Sequence, residues 1–268
     1  MTSAFATTPS WLMAVALFAF FVAVGSTCRW IVVKRCSEDR REELAEQAAR
    51  LLTGLAATFA FFIGISVTIT WGAVSAGQAA IEAQASRAQQ LSWSLNNIEN
   101  QQAAKPLVRD LRNYLAAAAN EDRPYLSNGN AANRPSAALL DKLQVAVHKY
   151  AYLGSTPQSE ASGIVSAASA LSTADASVTA VADRTLPELI ILLLLLTATI
   201  NTAVMGISAA NTRRPILFAL WCLIPALSIT VVLALDSPFA GDISISLAPL
   251  DSLAQHVTIN HLSGQTTP

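Results

Sequence analysis

The chain has 268 residues, of which 53% are hydrophobic and only 13% are charged, and its formal net charge is −1. This balance is typical of a polytopic membrane protein that carries a modest polar domain, and it excludes an ordinary soluble enzyme. A net charge this close to zero also excludes a strongly basic surface, so we expect the lipid bilayer as a partner and no nucleic acid.

Four apolar stretches are each long enough to cross a hydrocarbon core of roughly 30 Å as a helix of about 20 residues. They cover residues 11–33, 51–74, 187–208 and 215–235. Residues 1–10 contain no Lys or Arg, so we expect the first stretch to be a retained span and not a cleaved signal peptide. The sequence therefore predicts an all-α membrane protein with four transmembrane helices and a helical extramembrane segment inserted between helices two and three.

These stretches divide the chain into parts of different character. The prediction is a first transmembrane hairpin at 1–75, an extramembrane helical segment at 76–186, a second transmembrane hairpin at 187–235 and an extramembrane tail at 236–268.

Basic residues concentrate in the short connection within each pair of spans. Six Lys and Arg residues lie from Arg29 to Arg50, and Arg213 and Arg214 lie between spans three and four. Lys and Arg near the ends of spans favour the cytoplasmic side. We therefore expect both short basic loops to be cytoplasmic, and the termini and the central segment to lie outside.

The second span offers candidate pore-lining residues at helical spacing. They are Leu55, Phe59, Phe62, Ile63, Ser66 and Thr70. In a pore the apolar members would form a hydrophobic neck, and the hydroxyl residues would line a wetter end. Alternatively, the apolar side chains face lipid or other helices, and the hydroxyls bond their own backbone carbonyls.

Polar residues are sparse in the other spans. Thr197 and Asn201 share a face of span three, which favours hydrogen bonds to a neighbouring helix, with a pore or ligand contact as the alternative. The span interiors contain no Asp, Glu, Lys or His. This argues against proton-coupled transport but permits a channel that is gated by a hydrophobic constriction.

The central segment is predicted to form about four helices. An apolar stripe from Ile81 to Ile98 continues directly out of the second span. A second helix is expected to have Pro106 in its first turn, Ser136 is expected to cap a third, and a fourth begins near Pro157.

The tail shows a different periodicity. Ile243, Ile245 and Leu247 alternate with polar residues, which predicts a short strand or extended edge that ends at Pro249. The remaining residues are mostly polar. An exposed edge of this kind could add to the sheet of a partner protein.

We find no catalytic or metal-binding pattern in the sequence. The histidines are His148, His256 and His261. The cysteines are Cys28, Cys36 and Cys222. None stands at metal-ligand spacing, and neither a nucleophile motif nor a Gly-rich phosphate loop is present. We therefore predict no enzymatic activity, no metal and no cofactor.

Two short motifs lie outside the spans. The tail opens on DSPFAG, with Asp236, Pro238 and Gly241, and Glu82 begins a Glu-Ala pair after the second span. With the order of the spans, these motifs resemble the bacterial bestrophin-like membrane-protein family. The resemblance implies an oligomeric anion channel in a bacterial plasma membrane, with the second span lining a hydrophobic neck.

A second function remains open on the sequence. Because the spans carry no reactive group, the chain could be a non-catalytic accessory or scaffold subunit of a larger respiratory or transport complex. Its protein partners would be copies of itself in a homo-oligomer in the first case, and other membrane subunits in the second.

Overall fold

The computed structural model describes residues 9–152, 156–184, 186–211, 215–240 and 244–257. The α-helices are α1 Ser10–Arg35, α2 Glu38–Asn96, α3 Gln101–Asn120, α4 Arg123–Ser127, α5 Pro135–Ala151, α6 Gln158–Ala182, α7 Glu188–Ser208, α8 Pro215–Leu235 and α9 Ala248–His256. Short 3₁₀ turns cover Ala131–Asn133 and Ala209–Asn211. The described residues include no strand, so the predicted all-α fold is confirmed over them.

Among the described residues, five helices are long and apolar enough to cross a membrane. Four of them contain the predicted spans, in α1, α2, α7 and α8. The fifth is α6, whose alanine-rich sequence also meets the criteria of length and composition. The sequence prediction places this helix in the extramembrane segment at 76–186, between spans two and three.

The chain divides into two compact units. Unit 1 comprises α1, α2 up to Ala73, α7 and α8, and unit 2 comprises α2 from Val74, α3 to α6 and α9. In unit 1, α1 packs against both α7 and α8. Its core is apolar and includes Phe21, Phe59, Leu194, Phe218 and Cys222.

Small residues bring α1 and α7 together in unit 1. Ala198, Thr202 and Gly206 follow at intervals of four residues on α7, and all three are buried. A Cβ atom built on Gly206 would lie only 2.2 Å from the carbonyl oxygen of Gly25 on α1. The two backbones therefore touch at this crossing, as is common where small residues line a membrane helix pair.

Unit 2 has a core of its own. In it, α3 packs against α5 and α9, and α5 packs against α6. Its largest fully buried side chains are Ile81, Leu91, Leu95, Ile98, Leu111, Tyr114, Leu115, Leu143, Ile164 and Leu171. The apolar stripe predicted from Ile81 to Ile98 is thus a buried face, and α2 carries it to Asn96 without interruption.

Three helix starts differ from the predictions. The first basic loop is mostly helical, because α2 already begins at Glu38. Pro106 lies inside α3, not in its first turn, since the Asn100 side chain caps this helix by accepting from the Ala103 N–H at 3.3 Å. Ser136 is not a cap but lies within α5, where its N–H donates to Asp122 Oδ1 at 3.1 Å.

The tail also differs from the prediction. Ile245 and Leu247 are buried, so the predicted alternation is present, but residues 244–247 form no strand. The Ile245 N–H donates to the Pro238 carbonyl at 2.8 Å, and Arg123 donates to Ser244 Oγ at 2.9 Å. Helix α9 then packs on α3. The described tail is therefore part of unit 2 and presents no free sheet edge, while Ile243 lies outside the described residues.

Candidate functional site on helix α2

The six candidate residues of the second span lie on the packed side of α2. Phe59, Ser66 and Thr70 are at most 6% exposed. Leu55, Phe62 and Ile63 are half-buried. The Ser66 hydroxyl donates to the Phe62 carbonyl at 2.8 Å, and the Thr70 hydroxyl donates to the Ser66 carbonyl at 2.9 Å. Within one chain, these side chains therefore face protein or their own backbone.

The opposite side of α2 is exposed along the apolar part of the helix. We define the open face as Gly54, Thr58, Phe61, Ile65, Thr68 and Gly72, which follow at intervals of four and three residues. This spacing places them on one side of an α-helix. The Phe61 ring is 64% exposed. A Cβ atom built on Gly54 or Gly72 would meet nothing within 4 Å.

The composition of the open face differs from that of the exposed surfaces of α7 and α8 in unit 1. The exposed large side chains of α7 are Leu189, Leu192, Leu196 and Ile200. Those of α8 are Leu217, Leu220, Leu223, Ile224, Leu227 and Val231. Such surfaces suit lipid tails, whereas glycine and threonine contribute little apolar area and are enriched where helices or water are the neighbours. The open face is therefore the candidate functional surface of unit 1.

The threonines of this face have a defined hydroxyl orientation. Thr58 donates its proton to the Gly54 carbonyl, and Thr68 donates its proton to the Gly64 carbonyl, both at 2.9 Å. A hydroxyl that has donated its proton keeps lone pairs that can accept. Both oxygens can therefore accept a hydrogen bond from a polar neighbour, although they sit in an apolar helix.

Sequence reasoning missed the open face, although a signal was available. The search for a hydrophobic neck selected the apolar stripe of the span, which is also the stripe that packs inside the chain. Glycine and threonine recur as Gly54, Thr58, Thr68 and Gly72. Such small and weakly polar residues on one side of a span were the available indicator of an exposed surface that differs from the leucine-rich surfaces of α7 and α8.

The predicted polar residues of span three differ in their hydrogen bonds. The Thr197 hydroxyl donates to the carbonyls of Leu193 at 2.8 Å and Leu194 at 3.1 Å, so it bonds its own helix. Asn201 is buried, and its Oδ1 accepts no hydrogen bond from the part of the chain that the structure describes.

The motif residues have different environments. Asp236 Oδ1 accepts from the Leu186 N–H at 2.6 Å, which ties the chain just after α8 to the chain just before α7. Burial raises the pKa of Asp236, and the Leu186 N–H partly offsets the rise. Pro238 is buried, Glu82 is exposed on α2, and Gly241 lies outside the described residues.

A buried polar network in unit 2 was not predicted. Arg134 pairs with Asp175 and lies 3.9 Å from Asp122. Asp175 Oδ1 also accepts from the Tyr114 hydroxyl at 2.8 Å and from Gln84 Nε2 at 2.9 Å. The network thus joins α2, α3 and α6 to the start of α5.

The side chains of this network are buried. Burial raises the pKa of Tyr114 well above its ordinary value, and burial raises the pKa of Asp122 despite the hydrogen bonds from Ser136. The available sequence signal was Asp175, a lone carboxylate in the alanine-rich run between Glu160 and Asp183. No group of three metal-ligating side chains occurs among the residues that the structure describes.

Comparison with known proteins identifies the family. A profile of the Bestrophin-like domain matches residues 19–250. The chain belongs to the Bestrophin-like family. It is accordingly a membrane protein, as its apolar helices predicted. Among curated proteins, none shows significant similarity to the sequence.

Solved structures of the same fold come from Klebsiella pneumoniae. A mutant of a bacterial Bestrophin homolog from this organism matches with a TM-score of 0.68 at 11% identity, covering 91% of this chain and 96% of that one. A second mutant gives 0.66 at 13% identity, with coverage of 90% and 97%. The same homolog solved by zinc phasing gives 0.67 at 13% identity, with coverage of 89% and 96%. At such low identity the likeness shows the fold alone.

Proposed function

We propose that this protein is an ion channel that assembles from several copies of the chain, with the open face of α2 lining the pore. The composition of that face carries the proposal: it is exposed, rich in glycine and threonine, and unlike the leucine-rich surfaces of α7 and α8. Membership of the Bestrophin-like family supports this function.

The open face provides both a constriction and wetter flanks. Phe61 carries its largest exposed side chain, with Ile65 one turn further along α2. A ring of these side chains would form a hydrophobic gate that opens by wetting. Thr58 and Thr68 lie three and seven residues from Phe61, so their hydroxyl oxygens would hydrate the pore on each side of the gate.

We further propose four spans, formed by α1, the apolar part of α2, α7 and α8. Helix α6 is assigned to the extramembrane part because its Asp175 belongs to a buried polar network and one of its faces packs within unit 2. Ionised groups are costly inside a bilayer, and α6 needs no lipid to cover its packed face.

For the orientation we propose cytoplasmic basic connections, with both termini and the central segment outside, in a bacterial plasma membrane. The positions of the basic residues from Arg29 to Arg50, together with Arg213 and Arg214, support this arrangement. Alkaline phosphatase fused to the C-terminus is expected to be active in the periplasm. An active fusion at Ser37 together with an inactive fusion at the C-terminus would show the opposite orientation.

Single-channel recording of the purified protein in planar bilayers tests the function. Phe61→Ala is expected to raise the unitary conductance or the open probability, because it removes the largest side chain of the gate. Phe59→Ala, the matched control, removes the same side chain from the packed side and is expected to lower stability without widening the pore. A folded oligomer that conducts no ions, or an equal gain in Phe59→Ala, would refute this assignment.

The accessory-subunit alternative loses one of its supports. It relied in part on an exposed extended tail, and the described tail instead packs in unit 2 through Ile245, Leu247 and α9. A channel of identical subunits needs no further partner. The native mass of the protein in lipid nanodiscs would give the number of copies of the chain in the assembly.

A further inference from the structure

The last turn of α1 carries two exposed cations. They are Lys34 and Arg35, at the basic end of this helix. No ion pair to either side chain occurs among the residues that the structure describes. The partial negative charge at the C-terminal end of a helix amounts to about half a unit charge, which is too small to balance both cations.

The break between α1 and α2 explains why a nearby carboxylate does not pair with Lys34. On a continuous helix, Glu38 would lie four residues after Lys34, at the spacing that favours an ion pair. Cys36 is instead extended, with φ −107° and ψ 142°, and α2 begins at Glu38 itself. Glu38 then lies 3.9 Å from Arg41 on its own helix. The two cations of α1 therefore remain open to another molecule.

Trp30 gives Lys34 a defined position. The Lys34 Nζ lies 4.6 Å from the centre of the Trp30 ring, and Trp30 is 60% exposed. A cation over an aromatic face is held electrostatically, while its N–H donors stay available for the oxygens of an anion. Arg35 follows directly and adds a guanidinium, which can bind a phosphate through two parallel hydrogen bonds.

These residues lie where an apolar helix ends. Trp11 and Trp30 are both exposed and nineteen residues apart, so they are separated by about 29 Å along α1, close to the roughly 30 Å of a hydrocarbon core. Exposed tryptophans at both ends of a span are typical of the headgroup level on each side of the bilayer. Helix α1 also contacts Ala209–Asn211, the turn that follows α7. Two proposed spans of unit 1 therefore end near Trp30.

The neighbouring side chains favour lipid as the molecule that contacts this end. Ile31 and Val33 are apolar and each 43% exposed, so the cations lie next to a surface that suits acyl chains. A phosphate that is attached to such chains would meet both parts of this surface at once, whereas a free phosphate would meet only the cations.

We propose that Trp30, Lys34 and Arg35 bind the headgroup phosphate of an anionic lipid of the phosphatidylglycerol class. A zwitterionic lipid offers the same phosphate together with a cationic group, which the two cations repel. The site should therefore discriminate by the net charge of the headgroup. This inference needs α1 to be a span, but it does not depend on ion conduction.

Native mass spectrometry of the purified full-length protein tests the proposal, with phosphatidylglycerol or phosphatidylcholine titrated into the detergent micelles. The wild type is expected to bind phosphatidylglycerol more tightly. Lys34→Gln is expected to weaken this binding about fivefold, the contribution of one cation near anionic lipid, and to leave phosphatidylcholine binding unchanged. Lys34→Arg keeps the charge and is expected to retain most of the preference.

The matched control compares the two exposed tryptophans of α1. Residues 1–28 contain no Lys or Arg, so Trp11→Leu is expected to keep the preference for phosphatidylglycerol, whereas Trp30→Leu is expected to reduce it. Excess inorganic phosphate is expected not to displace the lipid. A wild type without this preference, an unchanged preference in the double variant Lys34→Gln, Arg35→Gln, or displacement by inorganic phosphate would overturn the proposed lipid site and leave the proposed channel untouched.

Discussion

The crossing of α1 and α7 allows a sharp stability prediction for Gly206→Ala. The added Cβ would lie 2.2 Å from the Gly25 carbonyl oxygen and 2.8 Å from its carbonyl carbon, whereas ordinary contacts begin at 3.4 Å. Backbone atoms cannot rotate away, so the two helices must separate by roughly 1 Å. A gap of this size removes about a quarter to a half of the dispersion energy of each contact across it. Overpacking of this kind costs about 1–3 kcal/mol.

Thermal unfolding of the detergent-solubilised protein, followed by tryptophan fluorescence, measures this effect. At about 2–4 °C per kcal/mol for a protein of this size, the apparent Tm of Gly206→Ala should fall by several degrees. Gly163→Ala is the matched control, because its Cβ meets nothing within 4 Å on helix α6. Alanine is the better helix former by up to about 1 kcal/mol, so this variant should melt at or above the wild-type temperature. A wild-type Tm for Gly206→Ala would show that the backbones do not touch here.

Three further predictions concern buried polar groups. Arg134→Met leaves Asp175 buried without its cation and should lower the free energy of unfolding by about 3–5 kcal/mol. The double variant Arg134→Met, Asp175→Leu should recover much of this loss in the same melting assay. Burial raises the pKa of Asp122, so the folded state binds this proton more tightly than the unfolded state does. The free energy of unfolding should therefore increase as the pH falls from neutral towards the ordinary carboxyl pKa of about 4, and this gain is lost as pH rises through the raised pKa. Asp122→Asn should reduce this dependence on pH. Asp236→Ala should cost about 1–3 kcal/mol because the Leu186 N–H loses its acceptor, whereas Asp236→Asn keeps an acceptor oxygen and should cost less; equal losses in both variants would contradict this.

Hydropathy and helical periodicity predicted much of the fold. The four apolar stretches lie in α1, α2, α7 and α8, and the stripe from Ile81 to Ile98 is a buried helix face. These features follow from local composition, which a single sequence displays directly. The status of α6 is different, because alanine and serine satisfy the apolar criterion for a span and also pack well in a polar domain.

The tail shows why other elements could not be predicted. The alternation of Ile245 and Leu247 with serines correctly indicated one buried side, but the same pattern fits a strand and an extended segment held by single contacts. The partners that decide the outcome are Pro238 and Arg123, and Arg123 is more than a hundred residues away in sequence. Periodicity carries no information on such long-range hydrogen bonds.

The candidate pore residues named from the sequence lie on the packed side of α2, and the open face that we propose as the lining lies on the opposite side. Phe59 and Phe61 are both apolar residues of one span, and only the positions of α1, α7 and α8 determine which of them is covered. The structure buries Phe59 and exposes Phe61. The polar network of Arg134 and Asp175 was not predicted either: Asp175 stands out as a lone carboxylate in its run, but the sequence does not indicate its partners, which come from separate helices.

The most direct test of the central claim is block of the current by a charged thiol reagent at single cysteines on the two sides of α2. In a background where Cys28, Cys36 and Cys222 are replaced by serine or alanine, Thr68→Cys should react with a water-soluble methanethiosulfonate and the current should change with each modification. Ser66→Cys, two residues away and fully buried, should not respond. Block at Ser66→Cys without an effect at Thr68→Cys would contradict the pore-lining role of the open face.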